Sequence, residues 1–176
     1  MKTGLPRSWP LILLAGVAAC SGPIATRSGI EGPPVTPATA VALAPLPEGA
    51  GAATLTARVV VAKALERHGY RVTPDAPLRI DVALAERAAE VDVRTLAGPA
   101  LSPAKPQRLL QDCHDRTHRL TLAAYDPARP GVTRAWAEEH HCKGPIAASL
   151  SALADQAVAA LAAATPEQRT ERPGKD

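Results

Sequence analysis

Residues 113–142 read as one long β-hairpin, and this stretch constrains the fold more than any other. Leu120-Thr-Leu-Ala-Ala-Tyr-Asp126 runs into Asp126-Pro-Ala-Arg-Pro-Gly131, a run of turn-forming residues, and Arg134-Ala-Trp136 leads back. Setting Cys113 opposite Cys142 fixes a register in which Leu120 opposes Ala135, Leu122 opposes Thr133 and Arg119 opposes Trp136. The turn then falls on Asp126 to Arg129, the best turn sequence of the region. In this register the Arg119 guanidinium can lie over the Trp136 indole.

The open end of the hairpin concentrates chemistry. Directly opposed strand residues have Cβ atoms about 4.5–5.5 Å apart, close to disulfide reach. A Cys113–Cys142 bridge is therefore the preferred reading, and a loop of that size would gain about 3–4 kcal/mol on the chain-entropy model. Metal is the competing reading, since Cys113, His114, His118, His140, His141 and Cys142 are all ligand types. Strand alternation thins that set. Cys113 and Cys142 share a face with Asp115 and His140, while His114 and His141 oppose each other on the reverse face. His118 stands four residues from His114, about 13 Å along a strand and too far to share an ion. His114, His140 and His141 are the residues left as metal candidates. No Cys-x-x-Cys is present, and the His-x-x-x-His spacing from His114 to His118 falls along a strand rather than on a tight turn. Glu138-Glu139, adjacent and thus facing apart, reads as a solvated edge.

Compartment is the best-determined property. Lys2 and Arg7 form a basic n-region before a short apolar run, Trp9 to Ala18, so residues 1–19 read as a secretory signal. The run falls short of the roughly 20 apolar residues that span a bilayer. It ends in Val17-Ala18-Ala19-Cys20, which resembles the lipobox of bacterial lipoproteins. That resemblance implies cleavage before Cys20 and lipidation of its thiol, the membrane being reached through this anchor alone. Ser21 in the next position implies the outer membrane, on its periplasmic side. With Cys20 taken by lipid, Cys113 and Cys142 remain as an even pair in an oxidising compartment. The formal charge of +3 loses Lys2 and Arg7 with the signal, and Lys and Arg are scattered among acids. Neither this nor the aromatic content of two Trp, two Tyr and no Phe suits a nucleic-acid partner.

Along the rest of the chain, residues 20–38 are rich in Gly, Pro, Ser and Thr and read as a flexible tether. A single domain follows over residues 39–164, and residues 165–176 read as a disordered tail. Within the domain a first strand covers Thr39 to Leu46. A helix runs from a Thr54 cap to His68, with Gly69 as its left-handed stop. Leu78, Ile80, Val82 and Leu84 alternate with Arg79, Asp81, Ala83 and Ala85, the cleanest strand pattern present. Arg79 and Asp81 read as a surface ion pair. Gly98, Pro99, Pro103 and Pro106 mark a long loop. Pro145 then opens a helix whose stripe is Ile146, Leu150, Leu153, Ala154, Ala157, Val158 and Leu161. The expected fold is α+β: a mostly antiparallel sheet of about four to five strands with two helices packed on one face.

Ala64-Leu-Glu-Arg-His-Gly-Tyr70, the Leu78–Leu84 strand, Leu120–Asp126, Arg134–Trp136 and the lipobox together resemble a family of small bacterial outer-membrane lipoprotein domains of unknown function. The chain is also similar to the auxiliary lipoproteins of lipid-trafficking transporters. The Cys/His-rich hairpin base departs from that pattern, and the resemblance implies no activity. No nucleophile elbow, phosphate-cradling glycine loop or His-Glu-x-x-His is present. The expected function is a lipid-anchored, non-catalytic envelope domain that binds a protein partner or supports envelope maintenance, without cofactor. The alternative is a metal-binding or metal-sensing lipoprotein built on the hairpin base.

Overall fold

A computed structural model describes residues 24–94, 100–105, 114–142, 144–163 and 168–172. The signal, Cys20 and Cys113 lie outside the described residues. The order of elements is β1 (Ile24–Glu31), β2 (Ala40–Leu43), α1 (Ala52–Arg67), β3 (Arg71–Val72), β4 (Leu78–Ala88), β5 (Val93–Arg94), β6 (Ala100–Ser102), β7 (Arg116–Tyr125), β8 (Val132–His141), α2 (Ile146–Ala162) and β9 (Gln168–Arg172). The α+β class holds. The sheet is larger than expected and mixed: seven strands in the order β3-β2-β4-β7-β8-β1-β9, with β2 parallel to both β3 and β4. β5 and β6 form a separate two-stranded flap.

Both helices pack against each other and on one face of the sheet. Ile80, Val82, Leu120, Leu122, Ala135 and Ala137 meet Ala57, Val61, Leu65, Leu153, Ala157 and Leu161 in one core. The Leu78–Leu84 alternation and the α2 stripe supply these contacts as their periodicities require. α1 ends in a Schellman motif. Gly69 adopts φ +86°, its N–H reaches the Glu66 carbonyl, and the Tyr70 N–H reaches Leu65. The helix starts earlier than the Thr54 cap predicts, because Gly51 in extended conformation admits Ala52 and Ala53, both of a type well suited to helix.

Two segments correct the domain boundaries. The stretch expected as tether contributes β1, which lies antiparallel to β8 from Thr26 opposite Glu139 to Glu31 opposite Arg134. The stretch expected as a disordered tail contributes β9, paired with β1. Neither segment has a strong apolar pattern. β1 covers β8, which would otherwise end the sheet as a long unpaired edge, and β9 in turn pairs with β1.

The hairpin forms, but its register is two residues from the expected one: Leu120 opposes Ala137, Leu122 opposes Ala135 and Arg119 opposes Glu138. The expected register would pair Tyr125 with Pro130, which has no N–H to give. The ladder instead closes at Tyr125 and Val132. Between them the Arg129 N–H reaches the Asp126 carbonyl, the Asp126 side chain accepts from Ala128, and Gly131 takes φ +113°. A slip of two preserves the faces, so Arg119 still covers Trp136, its guanidinium 4.3 Å from the ring centroid. The expected Arg79–Asp81 pair is not formed: Arg79 donates to the Pro74 carbonyl, and Asp81 accepts from the Val82 N–H.

Gly29 pairs with Trp136, and a Cβ there would stand 2.9 Å from the indole. Gly29→Val should therefore destabilise the domain by about 1–3 kcal/mol through overpacking. The urea midpoint, followed by Trp136 fluorescence, measures this. An unchanged midpoint would mean that residues 24–31 are a tether after all.

Candidate functional site

The polar residues gather at one end of the sheet, where β4 and β8 finish and β1 and β7 begin. Neighbouring residues there point to opposite faces, so two distinct clusters share the same strands.

On the helix face, His118 of β7 and Glu139 of β8 are opposed and fully buried. The first turn of α2 brings Ser149, also fully buried, between two histidines: its Oγ lies 2.8 Å from His118 Nδ1 and 2.8 Å from His141 Nε2. His141 Nε2 is also 2.8 Å from Glu139 Oε2, and the two imidazoles stack with centroids 5.0 Å apart. Protons assigned from this geometry run one way. With Glu139 ionised, His141 carries its hydrogen on Nε2 and shares it between the carboxylate and Ser149 Oγ. The Ser149 hydroxyl then donates to His118 Nδ1. His118 Nε2 faces Glu86 Oε2 at 3.8 Å, beyond hydrogen-bond reach, and is without a hydrogen bond among the described residues. Burial and the neighbouring His141 lower the His118 pKa below its ordinary value.

On the open face, Glu138 is fully buried beneath three arginines. Arg119 Nη1 lies 3.2 Å from one carboxylate oxygen, with Arg27 Nε 3.4 Å and Arg87 Nη2 3.9 Å from the other. Ser102 of the flap donates to the same carboxylate, and the Leu101 carbonyl accepts from Arg27 and Arg119. Arg27 and Arg119 also each lie over the Trp136 ring, 5.3 and 4.3 Å from its centroid. His140 sits at this cluster, Nδ1 2.9 Å from Thr117 Oγ1 and Nε2 3.7 Å from Glu138. Burial is the main cause lowering its pKa, with Lys105, Arg27 and Arg87 acting in the same direction against Glu138. The expectation of a solvated Glu138-Glu139 edge is thus overturned. β1 covers β8, and the flap covers Glu138.

The metal candidates do not converge. His140 and His141 occupy opposite faces, and His114 is exposed before β7 starts. In the observed register His141 opposes Arg116 rather than His114. No group of three or more His, Cys, Asp or Glu side chains placed to hold a metal occurs among the described residues. Cys142, just past β8, is not a free thiol, whereas Cys113 lies outside the described residues. Sequence reasoning set His118 aside and did not single out Ser149. The signal for His118 was its alternation with Leu120 and Leu122, which places it on the buried face.

No family model matches the chain, and no curated protein sequence matches it. Among solved structures it is similar to the PelC dodecamer from Paraburkholderia phytofirmans, at 13% identity and TM-score 0.45, over 78% of this chain and 99% of that one. A point variant of the same dodecamer gives 14% and 0.46 over the same shares. A PDZ domain protein from Parabacteroides distasonis is similar at 8% identity and TM-score 0.51, with 86% of this chain covering 40% of that one. This last likeness is one of fold alone.

Two outcomes follow. Glu138→Ala leaves three guanidiniums facing one another and should destabilise by about 3–5 kcal/mol, read from the urea midpoint. For His118 and His140 the folded pKa lies below the unfolded value of about 6.5, so the unfolded chain takes up protons first as pH falls. Stability is then fully present above that value and is lost as pH drops from it toward the lowered folded pKa. Urea midpoints taken from pH 7.5 down to about 5.5 should decline accordingly. His118→Gln, which retains a hydrogen-bonding partner for Ser149 without titrating, should decline less.

Proposed function

We propose that the chain is a lipid-anchored, non-catalytic domain of the bacterial envelope, held on the periplasmic side of the outer membrane through Cys20, where it binds a partner or supports envelope maintenance. One observation carries this reading: the lipobox-like Val17-Ala18-Ala19-Cys20 stands only four residues before β1 enters the sheet. Four residues reach at most about 14 Å, whatever their conformation. The anchor therefore leads directly into a strand flanked on both sides, β8 and β9, and not into a long spacer. A fixed stand-off close to a bilayer suits a domain that works at the membrane surface.

The buried polar residues agree with a non-catalytic role. Ser149 touches two imidazoles, a pattern met in nucleophile–base pairs. Yet Ser149 and His118 are sealed between α2 and the sheet, and the same His141 nitrogen serves both Ser149 and Glu139. An acyl-transfer base needs one ring nitrogen for the nucleophile and the other for its orienting carboxylate. Buried hydrogen-bonded networks of this kind lock packing partners together, and here the locked element is the first turn of α2. The Cys113–Cys142 bridge belongs to the same proposal, as a covalent closure of the same sheet end.

Intact mass of the protein purified from membranes, before and after reduction, tests both. The expected mass is that of a chain starting at lipidated Cys20 with its remaining two cysteines oxidised. Cys20→Ala should move the protein from the membrane to the soluble fraction. Unchanged membrane association of that variant would overturn the anchor.

A further inference from the structure

The flap formed by residues 91–94 and 100–102 carries apolar side chains that are exposed among the described residues. Val91 is 51% exposed, Val93 42% and Leu101 40%, half of the large exposed hydrophobics among the described residues. Their position is not arbitrary. Ala88, the last residue of β4, opposes Arg116, and Arg116 opposes His141. Continuing the β1–β8 register from Thr26 opposite Glu139 by two residues sets His141 beside Ile24. The strand row from which the flap departs is therefore the row at which β1 begins, four residues after Cys20. The flap is held there: Leu101 accepts from Arg27 and Arg119, Ser102 is tied to Glu138 and Arg87, and Lys105 donates its backbone N–H to Ala89.

We propose that the flap carrying Val91, Val93 and Leu101 inserts into the interface of the bilayer to which Cys20 is anchored. The inference rests on the anchoring proposed above and adds an orientation to it. Lipid is the occupant favoured by the geometry, because the anchor brings this end of the sheet to the bilayer whatever else binds. Three separate side chains are also too small a patch for a stable second copy, which would bury about 800 Å² per partner. Apolar side chains of this size sit stably at the headgroup–acyl boundary, where their backbone stays hydrated or paired. The buried ion cluster beneath them would hold the flap in place, with Glu138 and Asp115 offsetting the charge of the arginines and Lys105.

The test uses the lipidated full chain in phospholipid vesicles whose acyl chains carry bromine near the headgroup. Val93→Trp should lose most of its added fluorescence relative to unbrominated vesicles. Val132→Trp, exposed at the far end of β8, should lose none, with the unmodified chain supplying the Trp136 background. A lipidated, vesicle-bound protein in which both added indoles are equally unquenched overturns the docking surface and leaves the anchor standing. An indole at position 93 that is unquenched by lipid yet shielded from aqueous iodide, in a chain that has become larger by light scattering, assigns the flap to a second copy and also overturns it. A chain without lipid at Cys20 removes both proposals.

Discussion

The pairing of β1 with β8 is the interaction on which the rest of this structure depends. Without it, β8 is an edge strand. With it, β8 lies between two partners, and Glu138 and Glu139 are fully buried. Burying an ionised carboxylate is costly unless it is compensated. The compensation defines the local architecture: three arginines and a flap serine gather over Glu138, and His141 turns toward Glu139. β1 supplies one of those arginines, Arg27, so the strand that creates the burial also helps to neutralise it.

The two clusters differ in kind because they lie on opposite faces of the same strands. The open face has room for long guanidinium stems, and it answers a buried charge with opposite charges. The helix face is closed by α2, and it answers with hydrogen bonds through small groups, a serine and two imidazoles. This division ties each cover to the sheet. The flap is held by the Glu138 cluster, and the first turn of α2 by Ser149. Ser149 and the Glu138 cluster thus each join a cover to the same sheet end.

Much of the core was legible from period alone. The Leu78–Leu84 alternation, the α2 stripe and the Gly69 stop each correspond to elements whose side chains or backbone make the contacts those patterns require. These are local properties, because apolar spacing and a left-handed glycine act within a few residues. The hairpin was legible in its existence and faces but not in its register. Cysteine symmetry suggested one pairing, while a missing N–H at Pro130 imposed another. β1 and β9 were illegible for a different reason. Neither carries an alternating apolar pattern, and pairing with a neighbouring strand, β8 for β1 and β1 for β9, makes them strands. His118 had been dismissed on distance from His114, although its alternation with Leu120 already placed it indoors.

By itself the sequence determined the α+β class, the two helices, the long central hairpin and the lipobox-like segment from which the anchor is proposed, because each depends on residues close together in the chain. Only the tertiary structure decided that the supposed tether and tail are strands, and that Glu138 and Glu139 are buried on opposite faces. It likewise decided that Ser149 joins His118 to His141, and that the flap departs from the end of the sheet at which β1 begins. Those outcomes depend on which strand lies beside which, and strand neighbours far apart in sequence leave no periodic trace in either partner.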